Sequence, residues 1–447
     1  MSPSSSTWLA AVKLALATLI LCIPFPACAD GIPRPVDLGP LCHELLQEHP
    51  ALTGYDTLFT DTFKSKVSLA DLTSVFAEVY KETGSCLSYN REALGNSAAA
   101  KVTLRTASGL DVALRLVMDP DSGRLGALLI EGIEDPKVVI TGWSDVAAAL
   151  RYLDPTGTQS AALVSSDRGV LLATKGSQPL AIGSTFKLYV LGALSEAIAQ
   201  GRFAWDTELA IRDAWKSLPS GIMHTWPEGQ RATLLTYAQN MIGISDNTAT
   251  DHLLFTLGRD QVEDMLAPMG NRSQVSHLPF LSTLEAFKIK WALTPDSAHA
   301  YVSARPAGRR VLLDEIADVP RSAIGTNGLP MNEPTLIDSV EWFATTTENC
   351  AAMLWLAARA DAEVRSILAQ NVPLLTGVGT PASHWSYAGY KGGSEPGVLN
   401  LTFLLESRNG QRGCLAVTAN NTRKNLNESR FFDIVKKTLR FAESQLP

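Results

Sequence analysis

The stretch Ala181–Leu191, AIGSTFKLYVL, contains one lysine in a run that is otherwise apolar or small. Ser184 and Lys187 stand three residues apart, so on a helix their hydroxyl and amine share one face. A serine in the first helical turn also faces the positive end of the helix dipole, which favours a developing oxyanion. On its own, S-x-x-K is most often a helix cap followed by a surface lysine. The alternative is a nucleophile with its base.

Two motifs further along the chain favour the second interpretation. SDN at residues 245–247 lies within MIGISDNTATDHLL, and KGGS at residues 391–394 enters an apolar strand pattern. A serine is a poor nucleophile unless a base stands beside it, and a lysine serves as that base when burial or another cation lowers its pKa. A second lysine and a second serine near Lys187 are therefore residue types that suit this chemistry.

In this order and context the three motifs resemble the serine β-lactamase and penicillin-binding superfamily, especially its class A β-lactamase-like branch. The resemblance extends from about Trp143 to Leu446. It implies an α/β (α+β) domain, in which an antiparallel sheet is flanked by helices. Strand patterns at both ends of this stretch, with helical patterns between them, predict a sheet built from the two ends.

The resemblance assigns a role to each motif residue. Ser184 would be the acylated nucleophile, Lys187 its proton acceptor and Ser245 the group that passes a proton to the leaving group. Lys391 would raise the local positive potential, which keeps Lys187 neutral and attracts a substrate carboxylate. The backbone N–H groups of Ser184 and Ser394 would form the oxyanion hole. The substrate-binding positions are Asn247, Gly393, Ser394 and Thr225.

Two departures from the family leave the turnover step open. Gly392 stands where the family usually has a threonine or serine whose hydroxyl grips the substrate carboxylate, so Ser394 or Thr225 would have to replace that hydroxyl. The chain also lacks the ExxLN motif, whose glutamate activates the deacylating water in class A enzymes. The candidate replacements, each of which also suits a capping or solvent-facing position, are Glu333 in EPTLI, Glu285 in STLEAFKIK and Glu341 in VEWFATTTEN.

The departure at KGGS is shared with the two-domain β-lactamase-like esterase associated with clavulanic acid biosynthesis, which this chain resembles in layout. The motifs predict a secreted active-site serine hydrolase that acts through an acyl-enzyme on β-lactams or a related ester. A D-alanyl-D-alanine peptidase, a cephalosporin esterase and a protein that binds β-lactams without turning them over remain open alternatives. The expected partner is a small-molecule substrate.

The first residues have the pattern of an export signal. Residues 1–29 carry one lysine, an apolar run and the small-x-small sequence ACA before Asp30, which is typical of a signal peptide. This pattern predicts a periplasmic or secreted protein with no stable membrane span after signal removal. Lipoprotein anchoring through Cys28 is the alternative.

Residues 30–138 are predicted to form a small α+β domain, and residues 139–447 the β-lactamase-like domain. Ser68 and Asp71 have capping-box spacing, Gly84 is a natural helix end, and residues 112–118 alternate as in a strand. At the level of pattern this domain resembles cystatin-like or NTF2-like folds. In an oxidising compartment we expect a disulfide from Cys42 to Cys86, while Cys350 and Cys414 are either paired or buried thiols.

Composition and missing motifs exclude several other functions. A net charge of −7 and a pI near 5.6, with no run of lysine and arginine, argue against nucleic-acid binding. The chain has no GxSxG elbow, no HExxH and no phosphate-binding glycine loop. Its 7 histidines are scattered, so neither a metal nor another cofactor is predicted.

Overall fold

The computed structural model divides into two compact units, residues 1–139 with 428–433 and residues 140–427 with 434–447. The predicted signal segment 1–29, including Cys28, lies outside the described residues. No helix in the described part of the chain is both long and apolar enough to span a bilayer. The structure describes residues 37–94, 98–153, 157–166, 169–327, 330–359, 361–370 and 384–445.

In the first unit, short helices precede an antiparallel sheet of four strands in the order β1-β2-β3-β4. Ser68 and Asp71 form the predicted capping box, and Gly84, with φ +71°, ends the third helix. The predicted resemblance to cystatin-like or NTF2-like folds stays a prediction. The elements are a π-helical turn Leu41–Leu45, α1 (Tyr55–Leu58), α2 (Asp61–Lys64), α3 (Leu69–Thr83), β1 (Cys86–Ala93), β2 (Ala99–Thr106), β3 (Asp111–Met118) and β4 (Leu125–Glu134).

The second unit contains an antiparallel sheet of five strands and most of the helices. Its first elements are α4 (Trp143–Leu153), β5 (Gln159–Ser166), β6 (Gly169–Thr174), β7 (Leu180–Ala181), α5 (Lys187–Ala199), β8 (Glu208–Ala210), β9 (Arg231–Thr233), α6 (Leu234–Gly243), α7 (Asn247–Leu257) and α8 (Arg259–Leu266). They are followed by α9 (Thr283–Trp291), α10 (Pro295–Ser303), α11 (Pro306–Ala317), β10 (Phe343–Ala344), α12 (Thr346–Ala358), α13 (Ala362–Ala369), β11 (Trp385–Glu395), β12 (Val398–Ser407) and β13 (Arg412–Asn420). Of the last helix, α14 (Glu428–Gln445), residues 428–433 count with the first unit and the rest with the second. Short 3₁₀ turns lie at Gly183–Phe186, Asp213–Trp215, Met223–Thr225, Ser273–His277 and Arg321–Ala323.

The sheet of the second unit has the strand order β11-β12-β13-β5-β6, so strands from both ends of the predicted domain pair with each other. Helices α12 and α13 pack against it, α12 on β12, β13 and β5, and α13 on β11. The predicted fold class, an antiparallel sheet flanked by helices, is therefore confirmed. In this order β11 is an edge strand, and it runs beside the 3₁₀ turn Gly183–Phe186.

Two disulfides join distant parts of the chain. The predicted pair Cys42–Cys86 is present, with a Cα–Cα distance of 5.3 Å. Cys350 and Cys414, for which the sequence left free thiols open, are also paired, with a Cα–Cα distance of 5.7 Å. The second disulfide ties α12 to β13, the middle strand of the sheet.

Helix α5 explains the apolar character of the stretch that contains Lys187. Nearly every residue from Lys187 to Ala197 is buried, because other helices surround α5. A helix that is apolar on all sides belongs in the interior of a protein. In the preceding turn the ring of Phe186 stacks on Trp342 with centroids 3.8 Å apart and meets Phe280 edge-on at 5.7 Å. These contacts hold the turn that carries Ser184.

Candidate active site

Ser184 lies in the 3₁₀ turn Gly183–Phe186, and the α-helix begins only at Lys187. The predicted start of the helix at Ser184 is therefore three residues early. Gly183 has φ +48°, a left-handed conformation that glycine adopts without strain. The main-chain N–H of Ile182 donates to the carbonyl oxygen of Trp342 at 2.9 Å, which ties the turn to the strand pair β7–β10. Ser184 remains partly exposed, as a nucleophile must be.

The side chain of Lys187 is fully buried, so it does not reach the surface. Its Nζ lies 2.6 Å from the carbonyl oxygen of Ser245, 2.7 Å from Asn247 Oδ1 and 3.1 Å from Ser245 Oγ. Burial lowers its pKa from 10.5 to about 7, against the opposing charges of Asp246 and Asp251. A neutral amine has two N–H donors and one lone pair. Those suit two carbonyl-type oxygens, which only accept, and one hydroxyl, which can donate.

Ser245 stands between the two lysines of the site. Its Oγ lies 3.1 Å from Nζ of Lys187 and 3.1 Å from Nζ of Lys391. The residue occupies the loop between α6 and α7 with φ +58°, a conformation that costs a non-glycine residue on the order of 1 kcal/mol. In this conformation both the carbonyl and the hydroxyl of Ser245 face Lys187. The sequence motif did not predict this conformation.

Lys391 is 3% exposed and donates to the carbonyl oxygen of Gly392 at 2.6 Å and to Ser245 Oγ. Burial, followed by the positive charge of Lys187, lowers its pKa well below the ordinary value. The sequence had attributed the neutral state of Lys187 to Lys391. In the structure the main cause for both amines is desolvation, and for Lys391 the charge of Lys187 adds to it.

Two glycines of β11 allow the strand to touch the Ser184 turn. A Cβ at Gly393 would overlap the carbonyl oxygen of Ile182 and lie 2.6 Å from the nitrogen of Ser184. A Cβ at Gly183 would lie 3.1 Å from the nitrogen of Ser394. The main-chain nitrogens of Ser184 and Ser394 therefore border the same narrow contact.

The space beside Gly392 is already filled. A Cβ at this position would overlap the hydroxyl of Tyr390 and lie 3.2 Å from Leu401. The ring of Tyr390 packs against Phe403 with centroids 4.9 Å apart. A threonine or serine at position 392 would therefore require the side chain of Tyr390 to move.

Asp246 and Asn247 hold the loop that borders the site. Asp246 caps α7 by accepting from the N–H of Ala249 at 2.8 Å, and its other oxygen accepts from the N–H groups of Ile222 at 2.6 Å and Met223 at 2.8 Å. The Asn247 N–H donates to the carbonyl oxygen of Ser220 at 3.0 Å, while its side chain contacts Lys187. Asp246 thus has a structural role as the cap of α7.

Thr225 lies in the 3₁₀ turn Met223–Thr225 that Asp246 anchors. Its side chain is exposed, and its hydroxyl donates to the carbonyl oxygen of Ile222 at 2.8 Å. Ser394 is also exposed. The structure thus places both predicted substrate-binding hydroxyls at the surface rather than in the buried part of the site.

The three candidate glutamates have different surroundings. Glu333 is exposed. Glu285 forms a capping box with Ser282 and an ion pair of 2.7 Å with Arg259, so its carboxylate has a structural role. Glu341 is fully buried and belongs to a cluster that the sequence did not reveal.

We call Lys290, Glu341 and Glu395 the Lys290 cluster. Lys290 Nζ lies 2.5 Å from Oε1 of Glu341 and 2.5 Å from Oε1 of Glu395. These residues are far apart in the sequence, and Glu395 directly follows the KGGS motif. The sequence did not single out Lys290, because its partners depend on the tertiary fold. Among the described residues no group of three or more histidine, cysteine or acidic side chains is arranged to hold a metal ion.

A family model and several solved structures match parts of this chain. The model of a β-lactamase enzyme family, Beta-lactamase2, matches residues 146–319, a stretch that includes Ser184, Lys187 and the SDN motif. The predicted resemblance to β-lactamase-like serine hydrolases is thereby confirmed over that stretch. A search of curated proteins gives no match. The resemblance to the esterase of clavulanic acid biosynthesis stays a prediction.

Several solved structures are similar to this chain. A β-lactamase from Sphaerobacter thermophilus DSM 20745 is 23% identical, with 68% of this chain and 98% of that chain covered and a TM-score of 0.49. The structure of PBP-A is 17% identical, with 67% and 94% covered and a TM-score of 0.47. A β-lactamase from Desulfarculus baarsii DSM 2075 is 17% identical, with 67% and 99% covered and a TM-score of 0.46.

The close approach at Gly393 generates a prediction. Gly393→Ala adds a methyl group that overlaps Ile182 O, so β11 must move away from the Ser184 turn. We expect acylation of Ser184 to slow at least about 100-fold, because the oxyanion donors are displaced. Rapid-mixing measurement of acylation checks this, with Gly126→Ala, where the nearest atom is 3.8 Å away, as the matched control. Equal rates in Gly393→Ala and the wild type would contradict the proposed contact.

The role of Asp246 generates a second prediction. Asp246→Asn removes a buried carboxylate that accepts three main-chain N–H groups, and an amide cannot serve all three without turning an NH₂ group toward a donor. We expect the free energy of unfolding to fall by about 1–3 kcal/mol. Urea denaturation measures it, and Asp296→Asn, on the exposed first turn of α10, provides the control. A change as small as that of the control would contradict this role.

Proposed function

We propose that the protein is an active-site serine hydrolase that forms an acyl-enzyme on Ser184, with β-lactams or related esters as substrates. The observation that carries the proposal is the fully buried amine of Lys187, which has a pKa lowered to about 7 and lies one turn from a partly exposed serine. A lysine in that state is a competent general base near neutral pH. A surface lysine would remain charged and could not accept the serine proton.

The acylation step follows from the arrangement of donors. Lys187 accepts the proton of Ser184 as Oγ attacks the substrate carbonyl carbon. The negative charge that develops on the carbonyl oxygen is stabilised by the N–H groups of Ser184 and Ser394. Ser245 Oγ, 3.1 Å from both lysine amines, then passes a proton toward the leaving group. In its protonated form Lys391 would add positive potential that favours a substrate with a carboxylate.

The proposal includes export to an oxidising compartment. Support comes from the signal-like pattern of residues 1–29 and from the two disulfides, which persist outside the reducing cytosol.

The proposed function is tested by combining the purified protein with a chromogenic cephalosporin and, separately, with an acetoxymethyl cephalosporin. Intact mass should show a covalent adduct on Ser184, and Ser184→Ala should show none. Ring opening with turnover identifies a β-lactamase, and acetate release with an intact ring identifies an esterase. An adduct that persists identifies a peptidase or a binding protein. Absence of any Ser184-dependent adduct would overturn the proposal.

The state of Lys187 generates a pH prediction. Because the neutral amine is the base, the acylation rate should rise with pH through a midpoint near 7, and one pH unit below the midpoint it should be about tenfold below its plateau. Stopped-flow acylation between pH 5.5 and 8.5 measures the profile. Asp246→Asn should move the midpoint to lower pH, because the charge of Asp246 raises the pKa of Lys187. A flat profile would contradict the role of Lys187 as base.

A further inference from the structure

Strand β11 places Lys391, Gly393 and Glu395 on one face, because alternate residues of a strand point the same way. Gly393 lies directly against the main chain of Ser184. Lys391 and Glu395 are each two residues from Gly393, in opposite directions, about 7 Å along the strand. From Gly393, the strand therefore leads to Lys391 in one direction and to the Lys290 cluster in the other.

Glu341 is connected to the same turn by a separate route. It precedes Trp342, whose carbonyl oxygen accepts the N–H of Ile182 at 2.9 Å. The ring of Trp342 stacks on Phe186, which lies two residues after Ser184. Both carboxyl groups of the Lys290 cluster thus belong to main-chain segments that touch the nucleophile turn.

The charges of the Lys290 cluster exceed what a structural ion pair needs. One lysine balances one carboxylate, and the cluster buries two carboxyl groups, so keeping both of them charged is costly. Burial, followed by the charge of Glu341, raises the pKa of Glu395 in spite of Lys290. The side chains of Lys290 and Glu341 are fully buried, whereas 12% of the Glu395 side chain is exposed. Glu395 is the member of the cluster that water can reach.

We propose that Glu395 accepts the proton of the water that hydrolyses the Ser184 acyl-enzyme, while Lys290 and Glu341 hold its carboxylate in place. This inference rests on the proposed acyl-enzyme. The water oxygen forms a bond to the acyl carbonyl carbon as one water proton moves to Glu395. The bond from that carbon to Ser184 Oγ then breaks, Oγ regains a proton from Glu395, and the acyl group leaves as a carboxylic acid.

The test separates acylation from deacylation in the full chain. With the chromogenic cephalosporin, Glu395→Gln should retain an initial burst within about twofold of the wild-type rate. Its steady-state turnover should fall at least tenfold, since general bases typically contribute about 10²–10⁴-fold. Intact-mass measurement of Glu395→Gln should show the adduct on Ser184 accumulating during turnover. Glu395→Asp, which keeps a carboxylate, should recover part of the turnover.

Glu315→Gln, an exposed position on α11, is the matched control and should leave both phases unchanged. Unchanged turnover in Glu395→Gln would overturn the inference, as would a proportional loss of burst and turnover, which indicates a structural role. Accumulation of the adduct in Glu333→Gln, but not in Glu395→Gln, would assign the step to Glu333 instead. If the wild-type adduct forms but is not hydrolysed, the role of Glu395 is overturned, whereas the proposed acyl-enzyme on Ser184 is supported. If the wild-type protein forms no adduct at all, the proposed function itself is wrong.

Discussion

The arrangement of the site depends on the burial of the Lys187 amine. Lys187 begins a helix that is surrounded by other helices, so its Nζ cannot reach water and must satisfy its hydrogen bonds inside. The partners that it finds are the carbonyl and hydroxyl of Ser245 and the amide of Asn247. These groups come from residues 245–247, at the end of the loop between α6 and α7. Their hydrogen bonds to the amine help to fix the position of this segment and the left-handed backbone of Ser245.

The second constraint is the contact between the edge strand β11 and the turn Gly183–Phe186. The two segments are distant in sequence, yet their main chains approach so closely that neither Gly183 nor Gly393 has room for an ordinary side chain. This contact lets one strand contribute an N–H group at Ser394, an amine at Lys391 and a carboxyl group at Glu395. The site thus has a basic side and a carboxyl-bearing side within the length of one strand.

Much of this arrangement could be predicted from the sequence, and the parts that could not share a physical cause. The order of the three motifs and the strand patterns at both ends of the domain indicated the antiparallel sheet and the grouping of Ser184, Lys187, Ser245 and Lys391. The Lys290 cluster could not be found in this way, because its two carboxyl groups, one just before β10 and one at the end of β11, meet Lys290 only in the tertiary fold. The left-handed backbone of Ser245 was hidden for the same reason, since its cost is offset by tertiary hydrogen bonds.

The position of Tyr390 over Gly392 has a consequence for how this site can change during evolution. The phenol ring occupies the space that a hydroxyl-bearing side chain at 392 would need, so either substitution alone meets an obstacle. A threonine introduced first collides with the ring, and a small residue at 390 introduced first leaves a void against Phe403. The two positions are therefore sterically coupled, and we expect a hydroxyl-bearing residue at 392 to be accommodated only together with a smaller residue at 390.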